Sequence, residues 1–221
     1  MGSLALNYTP YDSPLYQFAW DLLEKGPQVV ENLKSLMDKN PGVFDRNAMG
    51  FLTDIFQQEN LMPQVVALLE FDVKEHPQSG ASKLALGKAY MLTGKNEQAK
   101  LLLEEARQAT EDKVEPRLVD WNLEYLRAQD EPFPIAEADL EKLAGEYQVR
   151  HVQLKDGRLE YLRRGGTYPN YRRLIPFTKD TFMVEGLTYF RLKFEFDEAG
   201  NPVKAVGLYE DGRRDETTRG K

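Results

Sequence analysis

The chain reads as an α+β protein, with N-terminal α-helical hairpins followed by a C-terminal antiparallel β meander. Three observations predict this. From Ser13 to about Arg127 apolar residues recur at three- and four-residue spacing, the stripe of helices with one buried face. From about Glu146 to Arg214 the period switches to two. There, short runs are separated by the turn pairs Asp156-Gly157, Gly165-Gly166, Glu185-Gly186, Gly200-Asn201-Pro202 and Asp211-Gly212. Between the two regimes Gln-Asp-Glu-Pro-Phe-Pro, residues 129–134, reads as a linker. The expected division is a helical domain over 4–128, a linker with a short helix over 129–145, and a β domain over 146–219.

The first helix starts at Ser13-Pro14, a cap residue followed by proline at the first helical position, and ends at Gly26-Pro27. It carries Leu15, Phe18, Leu22 and Leu23. A second spans 27–39 on Val30, Leu33, Leu36 and Met37, stopped by Asn40-Pro41-Gly42. Further helices fit 46–58, 62–75, 82–93, 96–109 and 117–128, and a short one fits 136–143.

The best-defined hairpin lies between Ser82 and Ala109. Leu86, Gly87 and Tyr90 stand on its first helix, Gly94 breaks the chain, and Ala99, Leu103 and Ala106 follow on the second. Those residue types in that order resemble the tetratricopeptide repeat. Small residues let the two helices approach, while Tyr90 and Leu103 fill the space between them. One period of about 34 residues earlier, Leu52, Phe56, Val65, Leu69 and Pro77 take equivalent slots. That copy departs from the pattern at Thr53 and Asp72. Two or three stacked hairpins are therefore expected, capped by the helix bearing Leu118, Trp121, Leu123, Tyr125 and Leu126. The resemblance leaves open whether the concave face binds a peptide or docks a neighbouring domain.

In the second half the clearest strand is 190–197, with its aromatic and aliphatic residues on one face and its charges on the other. It is expected to have one face on a core and one in water. Others fit 147–154, 158–164, 171–177, 181–184 and 203–209, with a last one through 213–217. Asp156-Gly157 is a favoured two-residue hairpin turn. A meander of short strands with tight turns can close on itself and remove its edges. A small lipocalin-like barrel or half-barrel is the expectation.

This segment also resembles a family. The carriers are Gly145-Glu146-Tyr147, the run Leu154 through Tyr161, Arg173 through Phe177, Asp180-Thr181-Phe182, Tyr189 through Phe194 and Gly207 through Arg213. They are similar to the C-terminal β module that follows secreted bacterial serine hydrolases of the β-lactamase-like and S41 peptidase types. The resemblance covers the last 75 residues or so and rests on turn and core positions. It implies a non-catalytic accessory module in the periplasm or outside the cell, beside a hydrolase domain absent from this chain.

Composition bounds the remaining possibilities. The 221 residues suit one large or two small domains, and 41% hydrophobic with 29% charged residues is ordinary for a soluble globular protein. No apolar run approaches the roughly 20 residues of a membrane helix. No basic stretch followed by an apolar core marks a signal peptide. Met1-Gly2-Ser3 has the look of an expression scar, which implies a removed native leader or upstream domain. Zero cysteines exclude disulfides and thiolate chemistry. Residues 145–221 hold 15 Lys+Arg against 12 Asp+Glu, a balance of +3. The rest holds 14 against 24, or −10, which argues against nucleic-acid binding by the helical half.

Catalytic motifs are missing. None of the five serines sits in Gly-x-Ser-x-Gly or precedes a lysine by three positions. The two histidines, His76 and His151, make no zinc motif. Gly94-Lys95 mimics the end of a phosphate loop without its first glycine. No cofactor and no metal site are therefore expected, and no enzyme. His76 before Pro77 reads as a helix-end residue. Glu210, Asp211, Asp215 and Glu216, near Arg213 and Arg214, read as a solvated hairpin.

Two sets of residues remain as binding candidates. Arg163, Arg164, Arg172, Arg173 and Arg191 accompany Tyr161, Tyr168 and Tyr171 across neighbouring strands. Arg and Tyr are enriched in protein-binding hot spots, and Arg163, Arg172, Arg191, Tyr161 and Tyr171 are the choice for a partner surface. The other reading of the same residues is a charged outer face paired with nearby acids. The second set, Tyr147, His151, Phe182, Phe190 and Phe194, points inward by alternation and would hold a small apolar ligand if it lined a cavity. The leading expectation is a protein or peptide partner, or a sister hydrolase domain, with neither nucleic-acid binding nor membrane insertion.

Overall fold

The structure, a computed structural model, describes residues 12–167 and 169–220. Among them eight α-helices precede an eight-stranded antiparallel sheet. Helix α1, Pro14–Lys25, is capped by Ser13, whose Oγ accepts from the Tyr16 N–H at 3.4 Å. The expected second helix splits into a 3-10 turn, Pro27–Asn32, and α2, Leu33–Lys39. Helices α3 (Arg46–Gln58), α4 (Met62–Glu75), α5 (Gly80–Leu92), α6 (Asn96–Gln108) and α7 (Pro116–Asp130) follow. Each packs on the next in sequence. Asp45 caps α3 and Ser79 caps α5 through side-chain oxygens. Gly87 lies where α5 meets α6: a Cβ there would come within 3.2 Å of the Leu103 side chain. Leu103 and Ala99 are fully buried at that contact.

After α8 (Glu137–Leu143) the strands run β1 (Gly145–Tyr147), β2 (Arg150–Lys155), β3 (Arg158–Arg163), β4 (Arg172–Pro176), β5 (Thr181–Val184), β6 (Leu187–Phe196), β7 (Pro202–Tyr209) and β8 (Arg214–Thr218). Each pairs with its sequence neighbours, so the sheet is a pure meander. Its two ends approach each other. Gly220 N–H donates to the Glu146 carbonyl at 2.8 Å, and Gln148 Nε2 to Thr218 Oγ1 at 3.0 Å. The result is a nearly closed barrel. Where one strand was expected over 147–154, a turn begins at Gln148 (φ 54°) and divides it into β1 and β2. The ladder is thinnest between β3 and β4, held there by two residue pairs, Glu160 with Arg173 and Tyr161 with Arg172. Beyond those pairs the strands separate around the loop through Gly165-Gly166.

The barrel interior is a packed core. Tyr147, Phe182 and Phe194 are fully buried and meet edge to face, with centroids 5.5 and 5.6 Å apart. Leu140 and Leu143 of α8 join them, and the Tyr147 hydroxyl donates to the Leu143 carbonyl at 2.9 Å. Burial pushes the Tyr147 hydroxyl up to about 12, so it stays a neutral donor.

A second core lies outside the barrel. Ile175 of β4 and Met183 of β5 pack with Met91, Leu103, Val119, Tyr125 and Leu126 of the helices. The expectation that the charged face of 190–197 lies in water is corrected at Arg191. Its guanidinium sits 3.6 Å over the Trp121 ring, pairs with Glu124 at 2.7 Å and donates to the Trp121 carbonyl at 2.8 Å. Trp121 Nε1 donates to the Thr188 carbonyl at 2.7 Å, and the Gly186 N–H to the Tyr125 hydroxyl at 2.9 Å. Alternation shows which side chains leave the barrel, but only packing decides which of them meet a helix.

Candidate functional site

The two sets of candidate residues do not stay together. Tyr147, Phe182 and Phe194 fill the core, while Phe190 lies four residues before Phe194, about 13 Å along β6. Phe190 reaches a pocket at the barrel mouth. Tyr161, Arg163 and Arg172 reach it as well, from β3 and β4 at the point where their ladder ends. The pocket has a volume of ≈ 170 Å³ and is completed by Leu187, Tyr189, Tyr209, Asn170 and the backbone near Gly166. Tyr161 stacks on Phe190 at 5.8 Å, and Phe190 meets Tyr209 at 5.1 Å.

Behind the pocket lies a buried charge network. Arg150 is wholly buried inside the barrel. Its Nη1 donates to the Ala205 carbonyl at 3.1 Å and to Thr217 Oγ1 at 2.8 Å, and its Nη2 pairs with Asp215. The other oxygen of Asp215 accepts from Arg163 Nη1 at 3.0 Å. Burial opposes ionisation of Asp215, but the hydrogen bond from Arg163 and the charge of Arg150 outweigh it and hold the carboxyl below its ordinary range. Gly207 of β7 makes room: a Cβ there would overlap Asp215 Oδ1 and sit 2.6 Å from Arg150 Nη2.

Asp215 is thus not part of a solvated hairpin. Glu210 is not either, since it accepts from Lys88 Nζ of α5 at 2.7 and 2.9 Å. Both errors have one cause. A charge beside a turn looks solvated in sequence unless the strand register across the barrel is known. The alternation of Asp215 and Thr217 against Arg150 and Val152 was the signal available.

His151 is also corrected. The turn at Gln148 gives the inward slots to Arg150 and Val152, leaving His151 on the outer face. Its ring meets that of Tyr171 at 5.5 Å, its Nδ1 shares a hydrogen bond with the Tyr171 hydroxyl, and its Nε2 lies 3.4 Å from Glu146 Oε1. Arg164 pairs with the same Glu146 oxygen at 2.6 Å. Of the five candidates for a partner surface, then, Tyr161, Arg163 and Arg172 converge. Tyr171 stands on the outer wall, and Arg191 is enclosed between barrel and helices. Tyr168 lies outside the described residues.

A groove adjoins the pocket at Tyr189. Its first lobe, ≈ 410 Å³, runs between α3, α5 and the start of β6, past Gln57, Ala85, Ala89, Thr188 and Glu210. A second lobe, ≈ 360 Å³, continues between α3, α4 and α5 past Met49, Gly50, Leu68 and Ser82. Thr53, Asp54, Leu69 and Ala85 line both lobes. Arg46 at the far end is tied to Asp112 at 2.6 Å and to Ser79 and Ser82 at 2.9 and 3.1 Å.

No family model, curated protein or solved structure matches this chain.

Among the described residues, neither serine, histidine nor carboxylate lines the barrel-mouth pocket. No three of the described His, Asp and Glu side chains converge as a metal site. No described helix is long and apolar enough to cross a membrane.

Proposed function

We propose that the chain is a non-catalytic protein-interaction module whose helical groove takes an extended segment of a partner protein. The observation that carries this reading is the two-lobed groove running from Arg46 to Tyr189, lined by α3, α4 and α5 in one lobe and by α3, α4, α5 and the start of the barrel strand β6 in the other. Its lining includes the small side chains of Ala85, Ala89 and Thr53, which let a backbone come close. The helices act as tetratricopeptide-like hairpins, with the groove as their concave face.

Charge selects the occupant. The lining cations Arg46 and Lys88 are already paired with Asp112 and Glu210. That leaves Asp54, and Asp72, whose carboxylate lies 3.8 Å from the His76 imidazole. A segment bearing Lys or Arg fits such a lining, and the −10 balance of the helical half steers it there. The resemblance of the β half to the module behind secreted serine hydrolases supports such an enzyme as the partner and a periplasmic or extracellular setting.

Selection of displayed random dodecapeptides on the whole protein tests this. The expected result is enrichment of basic sequences whose binding is lost in Ala85→Arg, which fills both lobes, and weakened in Asp54→Asn. Selected peptides that bind Ala85→Arg as well as they bind the parent protein would refute the reading.

A further inference from the structure

We infer that the pocket at the barrel mouth is a binding site for a carboxylate carried on an aromatic or branched apolar body. Two guanidinium groups, from Arg163 and Arg172, line it together with Tyr161, Phe190, Tyr209 and Leu187, and no carboxylate does among the described residues. Arginine's planar fork matches a carboxylate in two parallel hydrogen bonds, while stacked rings accept a flat or branched group. The acid paired with Arg163, Asp215, is shared with the buried Arg150, so one carboxylate serves two arginines.

The guanidinium groups are positioned by the protein itself. Asp215 holds Arg163 Nη1 at 3.0 Å, and the Glu185 carbonyl holds Arg172 Nη1 at 3.0 Å. Both arginines stand where the β3–β4 ladder parts, and this is what opens the barrel wall beside Phe190. A volume of ≈ 170 Å³ falls below the roughly 300 Å³ at which pockets enclose drug-sized ligands, so the occupant is a group of side-chain size. A free aromatic acid and the carboxyl end of a peptide both satisfy that description. The site is separate from the helical groove and touches it only at Tyr189, so it stands or falls independently of the reading of the groove.

The test is calorimetric titration of the full chain with two matched pairs: phenylacetate against phenylacetamide, and a short peptide ending in phenylalanine with a free against an amidated terminus. The expected result is saturable binding of an acid at one site, with the neutral analogue at least about tenfold weaker. Arg163→Gln and Arg172→Gln should each cost about tenfold as well. Asn170→Trp, which plugs the mouth from an exposed position, should abolish binding in a protein that still melts cooperatively. Arg164→Gln, on the outer wall, should change nothing. Binding of phenylacetate alone supports the site with a free acid as ligand. Tighter, terminus-dependent binding of the peptide supports it with a chain end as ligand. Equal binding of acid and amide in both pairs, no saturable binding in either, or acid binding that survives Asn170→Trp would overturn it.

Discussion

Replacing Asp215 by alanine probes the least expected feature of the barrel, a wholly buried arginine with one carboxylate partner. Arg150 keeps the Ala205 carbonyl and Thr217 Oγ1 in the variant but loses its counter-charge. Breaking a buried ion pair from one side costs about 3–5 kcal/mol, because the remaining charge stays desolvated. Asp215 is itself about one-third exposed, so water enters to relieve part of this. The low end, about 3 kcal/mol, is therefore expected. The opposite half of the network sets the control. The Arg163–Asp215 pair is exposed on both sides, and Arg163→Ala should cost no more than about 1 kcal/mol. Urea unfolding followed by tryptophan fluorescence measures both. With a slope near 3 kcal/mol per molar, Asp215→Ala lowers the midpoint by about 1 M and Arg163→Ala by about a third of that. Equal losses in the two variants, or a loss under about 1 kcal/mol for Asp215→Ala, would show that burial of Arg150 does not set the energetics.

The same carboxyl makes stability acid-sensitive. Its folded pKa is depressed, so its contribution is complete above the unfolded value of 3.8 and is lost as pH falls through the lower folded value. The difference between the parent protein and Asp215→Asn should shrink below about pH 4 in matched thermal melts. Arg191→Ala removes the stacking on Trp121 and the pair with Glu124. It should cost about 2 kcal/mol and move the emission of Trp121 toward that of exposed tryptophan. Gly207→Ala forces the added methyl onto Asp215 and Arg150, and calorimetry should show a loss of about 1–3 kcal/mol.

Much of the architecture was legible before any coordinates. The spans 46–58, 62–75 and 181–184 coincide with α3, α4 and β5, because their start signals and periods are local properties. Ser13 caps α1 where a side-chain oxygen before Pro14 and a helical stripe says it should, whereas the helix expected from Ser82 starts two residues earlier, capped by Ser79. The Asp156-Gly157 turn takes φ values of 50° and 70° and joins β2 to β3. The site was legible only in part. Tyr161, Arg163, Arg172 and Phe190 were flagged for their types, but as members of two separate sets. Arg150 was not singled out and Asp215 was read as a solvated hairpin residue, because only the strand register across the barrel brings the two together.

The sequence alone determined the order of helices and strands, the turns between them and the faces that alternate, since these depend on residues within one or two turns of each other. Tertiary structure alone decided what those faces meet. The thin β3–β4 ladder opens a pocket, closure of the barrel brings Asp215, which β7 pairs with Gly207, against Arg150, and α7 covers Arg191. The Arg150–Asp215 and Arg191–Glu124 contacts join residues 65 and 67 positions apart. Their energies come from desolvation and packing that exist only once the barrel has formed.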